Sequence, residues 1–337
     1  MFAPFTTTGI GSLPFIDPEE AASFSLQACD IPFWPQLPKV SFRELMVPQY
    51  SEGLPGVRID RDSERVTVEP VSQDDLNSFY EKVGEDADFP ISREYAQGFY
   101  AFMAELERTG KRFPCLKGQI TGPLTFTLSI KLSDGRYLYF DDEMREIATM
   151  LLQRKAIWQI KELSRHAERV LIFIDEPILT AIGSSSYLGV EPEEAERLLR
   201  ETVSAIRSSG GIAGIHSCGR ADWGMLMRTG ADIINFDAYD YFDNLMIYKE
   251  QIQEFFERGG YLAWGIVPTT DAIREVESSN VREMLIKEFE LLSETIPLKK
   301  IYENALLTPS CGAGSRTVEE AGKVFSILKE LAGELKG

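Results

Sequence analysis

Strand-like and helix-like patterns alternate along this chain, and eight times a short β-branched or aromatic run ends in Gly, Pro or a small polar residue. The runs are Thr6–Gly11, Ile31–Pro35, Cys115–Thr121, Val170–Ile174, Gly211–His216, Asp232–Phe236, Tyr261–Ile266 and Ala305–Thr308. Amphipathic helix patterns lie between most of them, at Pro18–Ala28, Met144–Arg169, Glu191–Ser208, Trp223–Thr229, Asn244–Arg258 and Val281–Thr295, and Val318–Leu335 closes the chain. Strands separated by helices pair in parallel through right-handed crossovers. Eight such units close a (β/α)8 TIM barrel, which is the expected α/β fold; a doubly wound open sheet is the alternative. Residues 36–112 are too long for a connection. They carry a hairpin pattern (Val57–Asp60 and Arg65–Glu69) and a helix pattern at Arg93–Thr109, and read as an insertion between strands two and three of a single domain spanning residues 1–337.

Charge and cysteine usage narrow the function classes. Asp and Glu total 53 against 35 Lys and Arg, a net charge of −18, so a phosphate backbone is repelled and nucleic acid is not an expected partner. No apolar run approaches the roughly 20 residues of a membrane helix, and the opening residues lack the basic and apolar regions of a signal peptide. Four scattered cysteines (29, 115, 218 and 311) do not make a secreted disulfide framework, so a reducing cytoplasm is expected. Only two histidines exist, and His166 lies in a helical pattern among charged residues, as a surface histidine would.

Barrel chemistry sits at the C-terminal ends of strands. Here those ends read Gly11-Ser12, Gly118 to Pro123, Asp175-Glu176-Pro177, His216-Ser217-Cys218-Gly219, Asp237 and Cys311-Gly312. In extended chain His216 and Cys218 point the same way, so an imidazole nitrogen and a thiolate can share one cation. Zinc accepts N, S and O donors, and Cys311 and Asp237 would complete a tetrahedron. A lone cysteine is more often a small buried hydrophobe, the reading for Cys29 and Cys115. Asp175 and Glu176 follow a fully apolar run, where a carboxylate either grips a ligand or caps a helix or pairs with Arg. The Gly-rich end at Gly11 and Ser12 either holds a carboxylate or phosphate or is only a tight turn.

Four stretches resemble the catalytic barrel of cobalamin-independent methionine synthase, within the superfamily that includes uroporphyrinogen decarboxylase. Thr6–Pro14 is similar to that family's T-T-T-I-G-S-x-P, with Gly9 extra; Gly118–Thr125 to its T-G-P-V-T; and Ile174–Pro177 to its I-D-E-P. His216-Ser217-Cys218 and Thr308 to Gly312, followed by Ser315-Arg316, resemble its H-x-C and N-P-D-C-G-x-x-x-R. The resemblance implies a TIM barrel that uses zinc to activate a thiol for methylation, with His216, Cys218 and Cys311 as ligands and Asp237 standing where the family has Glu. It further implies catalytic roles for Asp175 and Glu176. The amino-acid end of a thiol substrate would be held by Gly11, Ser12 and Asp175.

Three departures shape the expected reaction. The extra N-terminal barrel of the folate-dependent enzymes is not seen. Residues 265–271 carry no histidine where those enzymes protonate a leaving folate nitrogen, and Pro35-Gln36-Leu37-Pro38-Lys39 stands where the family has an acidic motif. A methylcorrinoid, carried by a corrinoid protein partner, is therefore the expected donor to a homocysteine-like thiol. The alternatives are a metal-free decarboxylase of the porphyrinogen type and a non-catalytic zinc- and corrinoid-binding partner.

Overall fold

The computed structural model describes residues 1–182 and 187–336. Its strands are β1 (Thr6–Thr7), β2 (Val57–Asp60), β3 (Arg65–Val68), β4 (Leu116–Thr121), β5 (Lys131–Leu132), β6 (Val170–Asp175), β7 (Ile212–Ser217), β8 (Ile233–Phe236), β9 (Tyr261–Val267) and β10 (Ala305–Pro309). The helices are α1 (Pro18–Ala28), α2 (Met46–Ser51), α3 (Gln73–Gly84), α4 (Gln97–Thr109), α5 (Pro123–Thr127), α6 (Asp142–Leu163), α7 (Pro192–Ser208), α8 (Trp223–Arg228), α9 (Ala238–Leu245), α10 (Lys249–Glu257), α11 (Ser278–Ser293), α12 (Leu298–Glu303) and α13 (Val318–Lys336). No helix among the described residues is long and apolar enough to cross a membrane.

Seven strands form one curled parallel sheet in the order β1-β10-β9-β8-β7-β6-β4. The expected second strand, 31–35, is not a continuous strand. Pro32 and Pro35 lack the N–H groups a ladder needs. What remains is a set of single parallel bridges, Thr8 to Ile31, Ser12 to Gln36 and Phe33 to Lys117, so the same segment touches both edges of the sheet, β1 and β4.

The local reasons are ordinary. Asp17 caps α1 by accepting from the Glu19 and Glu20 amides, with Pro18 in the first turn. In α7 the buried Ala195, Leu198, Leu199, Thr202, Val203 and Ile206 repeat at helical spacing, with Glu193 and Glu194 at its start and Arg207 near its end. The expected helix at 244–258 is instead α9, a short 3₁₀ turn and α10. The helix expected at 144–169 stops at Leu163, which leaves His166 in the following turn, half-buried and far along the chain from the other histidine.

Residues 36–112 contain the expected hairpin, β2 paired antiparallel with β3, which β5 then joins in parallel. The expected helix at 93–109 begins at Gln97. This α4 packs on α1, and its Phe99 meets both Trp34 and the α6 residue Trp158. It thus occupies the helical layer outside the sheet, the place a crossover helix takes. The stretch from the 3₁₀ turn at Phe42–Glu44 through α3 adds no strand to the seven-stranded sheet; its β2 and β3 belong to a separate three-stranded one.

Two apolar clusters follow. The larger lies between sheet and helices. The smaller lines the inside of the curled sheet, with Ile10, Leu171, Phe173, Ile212, Ile233, Tyr261, Ala263 and Leu306.

Candidate metal centre

Strand alternation decides which polar groups enter the curled sheet. Leu171 and Phe173 point inward, so Asp175 does too; Ile212 sets the side for His216, Ile233 for Asn235 and Leu306 for Thr308. Each strand thus changes from apolar to polar toward its C-terminal end, and the polar groups meet at one mouth.

His216, Cys218 and Cys311 gather there, one ligand atom from each lying within 4.8 Å of the others. Asn235 controls the histidine. Its Nδ2 donates to the Ala263 carbonyl and to Thr308 Oγ1, each at 2.8 Å, which leaves Oδ1 to face His216 Nδ1. Since Oδ1 can only accept, Nδ1 carries the proton and the Nε2 lone pair is free for an ion. Around it, the hydrogen bond from Cys311 and the contact with His216 hold the Cys218 thiol down, to about 4, against burial. The Cys311 thiol is pushed well up by the same hydrogen bond and by burial. His216 is raised by Cys218 and Asp175, although burial opposes this. One nitrogen and two sulfurs, with the tautomer set from behind, fit the donor set of zinc.

Asp237 stands apart from this group of three. Its Oδ1 accepts from the Asp240 amide at 3.0 Å and caps α9, and burial raises its carboxyl to about 7. A one-methylene side chain at the start of a helix is short enough to turn back on its own backbone.

The mouth opens into a cavity of about 330 Å3 lined by Ser12, Gln36, Glu44, Asp175, His216, Cys218, Cys311 and Gly314, among others, with no lysine or arginine in the wall among the described residues. Asp175 has one carboxylate oxygen, Oδ1, that is buried without a hydrogen-bond partner among the described residues. Burial raises its carboxyl to about 6, while His216 and the buried Lys117 work against that rise. Ser12 Oγ accepts from the Gly314 amide at 3.2 Å, and its carbonyl accepts from Ala313 at 2.9 Å. A Cβ on Gly312 would stand 2.1 Å from Ser12 Oγ, so only glycine lets the Cys311 loop close on the first strand end. Gly11 is buried beneath the wall, where a Cβ would press on Gln36 and Gln119.

Glu176 does not share this cavity. Alternation turns it outward, where Oε1 accepts from Leu124 N (2.9 Å) and Oε2 from Thr125 N (2.7 Å) and Thr125 Oγ1 (2.6 Å). It braces α5, with both oxygens committed and burial lifting it to about 7. A Cβ on Gly122 would collide with it, which accounts for that glycine.

Two functional-site residues escaped the sequence reading. Asn235 had a signal, an amide in the otherwise apolar run Ile233 to Phe236. Glu44 had none, since it lies in a 3₁₀ turn beyond the second strand end, yet it lines the cavity and is buried.

Neither a protein-family model nor a curated protein matches the chain. Solved structures do. One is a B12-independent methionine synthase from Shewanella sp. W3-18-1 in complex with selenomethionine, with TM-score 0.65 at 14% identity over 99% of this chain and 98% of that one. A methyltransferase from Methanosarcina mazei aligns over 100% of this chain and 96% of its own, at 13% identity and TM-score 0.59. A Listeria monocytogenes protein, a candidate vitamin-B12-independent methionine synthase, aligns over 100% and 99%, at 14% identity and TM-score 0.59. The chain therefore has the fold of B12-independent methionine synthase.

Proposed function

We propose that this chain is a zinc-dependent methyltransferase of methionine synthase type that methylates a small, homocysteine-like thiol. The observation that carries the reading is the convergence of His216, Cys218 and Cys311 beside the unpartnered Asp175 oxygen in a cavity sized for a small molecule. We further read the sheet as a (β/α)8 barrel whose second stave is the proline-broken segment 31–36.

The metal would be held by His216, Cys218 and Cys311, with the Asp237 oxygen that does not cap α9 as a fourth donor. Zinc, when bound, deprotonates a coordinated thiol that would otherwise be mostly protonated at neutral pH. Asn235 keeps the histidine in its ligating tautomer. Asp175 receives the ammonium group of the acceptor, and Ser12 with its loop receives the carboxylate end. In the reaction the acceptor sulfur attacks the methyl carbon, a sulfur–carbon bond forms, and the donor departs with the electron pair of its broken bond to methyl.

The donor is best assigned as a methylcorrinoid on a partner protein. An amine leaving group needs a proton, whereas a cobalt leaving group does not. The end of β9, Val267 to Thr270, carries no titratable side chain, and Asp271 beyond it is exposed and paired with Arg316 at 2.7 Å. A porphyrinogen decarboxylase would need cations for several propionates, and the cavity wall offers none among the described residues. The test is methyl transfer from methylcobalamin to a panel of thiols by the zinc-loaded protein. Thioether formation is expected; stoichiometric zinc with no turnover for any thiol would favour a non-catalytic partner, and transfer from methyltetrahydrofolate by the chain alone would contradict the donor assignment.

A further inference from the structure

We propose that Lys117 is a positioning residue of the site: from inside the curled sheet its side chain fixes the end of the first strand, and so orients Ser12 and its loop for the carboxylate of the thiol acceptor. This rests on the function proposed above and adds to it a buried residue that itself touches no substrate.

The need arises beside the proline-broken segment 31–36. β1 ends at Thr7, and its pairing with β10 stops where the Thr8 amide donates to the Leu307 carbonyl, at 3.1 Å. The chain must still carry Ile10, Gly11 and Ser12 to the mouth, and each buried carbonyl on the way needs a donor. The Gly11 carbonyl accepts from the Gln36 amide (3.1 Å) and the Ser12 carbonyl from the Ala313 amide (2.9 Å). The Ile10 carbonyl has no backbone donor among the described residues; it accepts from Lys117 Nζ.

The place of Lys117 on β4 makes this contact possible. Its amide donates to the Pro32 carbonyl (2.8 Å) and its carbonyl accepts from the Trp34 amide (3.2 Å), which holds it against the broken segment. Level with Leu171 in the register, its side chain enters the curled sheet. The first strand then lies two strand spacings away, about 10 Å, which a lysine side chain and one hydrogen bond span. Nζ also donates to Gln119 Oε1 at 3.3 Å and stands 4.5 Å from the centre of the Phe173 ring. Lys117 is fully buried, and both its acceptors are neutral. An ammonium is costly there, and a methionine of similar length would fill the space without that cost. What the lysine adds is a hold on Ile10, which lines the cavity with Ser12. Ser12 Oγ in turn accepts from the Gly314 amide, and its own O–H has no acceptor among the described residues. A strand end that slipped would carry that hydroxyl away from the Gly314 loop.

The experiment is calorimetric titration of the zinc-loaded protein with homocysteine and with 3-mercaptopropylamine, which keeps the thiol and amine and lacks the carboxylate. Wild type is expected to prefer homocysteine at least tenfold. Lys117→Met should weaken homocysteine about tenfold and leave 3-mercaptopropylamine within twofold, with zinc retained. Because this variant also removes a charge that acts on Asp175, Ser12→Ala and the double variant complete a cycle. If Lys117 acts through Ser12, the double variant should be no weaker for homocysteine than Lys117→Met alone; losses that multiply would assign the effect to charge and overturn the proposal. Gln119→Leu, which removes the second acceptor of Nζ, should weaken homocysteine a few-fold with the same selectivity, and it carries the test if Lys117→Met does not fold. Equal losses for both thiols, no loss for either, or loss of zinc would also overturn the proposal. If wild type binds neither thiol, this proposal and the methyltransferase reading fall together; wild-type binding without preference for homocysteine fells this one alone.

Discussion

In its lower and middle layers the inside of the curled sheet holds Leu171, Phe173, Ile212, Ile233 and Leu306; further along the same strands it holds Asp175, His216, Asn235 and Thr308. The two ends share strands, register and alternation and differ only in side-chain chemistry. The apolar end gains from burial and carries stability. At the polar end burial costs, and the cost is offset where groups pair, as along Thr308, Asn235 and His216. Asp175 Oδ1 is left there without a partner among the described residues, which is why we propose that a ligand supplies one.

Substitutions at the two ends should therefore fail differently. The largest effect is expected at the mouth: Cys311→Ser should lower zinc affinity by about a thousandfold or more, because thiolates supply much of a zinc site's hold. Chelator competition on the purified variant measures it, and stoichiometric zinc after dialysis against chelator would remove Cys311 from the ligand set. At the other end, Leu171→Ala should cost about 2–5 kcal/mol of stability by opening a cavity and leave zinc content per folded molecule unchanged. Urea unfolding with parallel metal analysis separates the two, and a loss of metal without a loss of stability would break the contrast.

Smaller effects sharpen it. Asn235→Leu should weaken zinc about 10–100-fold by releasing the His216 tautomer, with all direct ligands intact; competition against a chromophoric chelator reads that range. The smallest is a pH effect at Glu44, in the 3₁₀ turn Phe42–Glu44. Burial raises Glu44 from 4.5 to about 7 in the folded protein. A carboxyl with a raised folded pKa binds its proton more tightly folded than unfolded, so its contribution is fully present below 4.5 and is lost as pH climbs through about 7. Wild type should lose roughly 1–3 kcal/mol over that window relative to Glu44→Gln. Urea midpoints at both ends of the window test this, and parallel profiles would contradict it.

Much of this arrangement was legible in the residues. The alternating pattern pointed to the parallel sheet, and the polar strand ends pointed to its mouth. His216 and Cys218 were readable because two residues of strand place both on one side, and Cys311 because it ends another strand. Segment 31–36 was harder, since Pro32 and Pro35 leave a stave that bridges without laddering. Asp175 and Glu176 both read as catalytic candidates, Asp175 also as a substrate-binding one, but alternation sends Asp175 into the cavity and Glu176 to α5. Asp237 read as a ligand from its strand end; one of its oxygens caps α9, a role its position at a helix start invites. The place of Glu44 depends on contacts with Leu37 and Gln97 that no local spacing encodes.

Zinc K-edge X-ray absorption on the purified protein, before and after homocysteine, tests the centre most directly. The expected spectrum has two sulfur scatterers and light-atom donors, with a third sulfur appearing on thiol addition. A protein that takes up no zinc, or a zinc sulfur count that homocysteine leaves unchanged, would contradict the account.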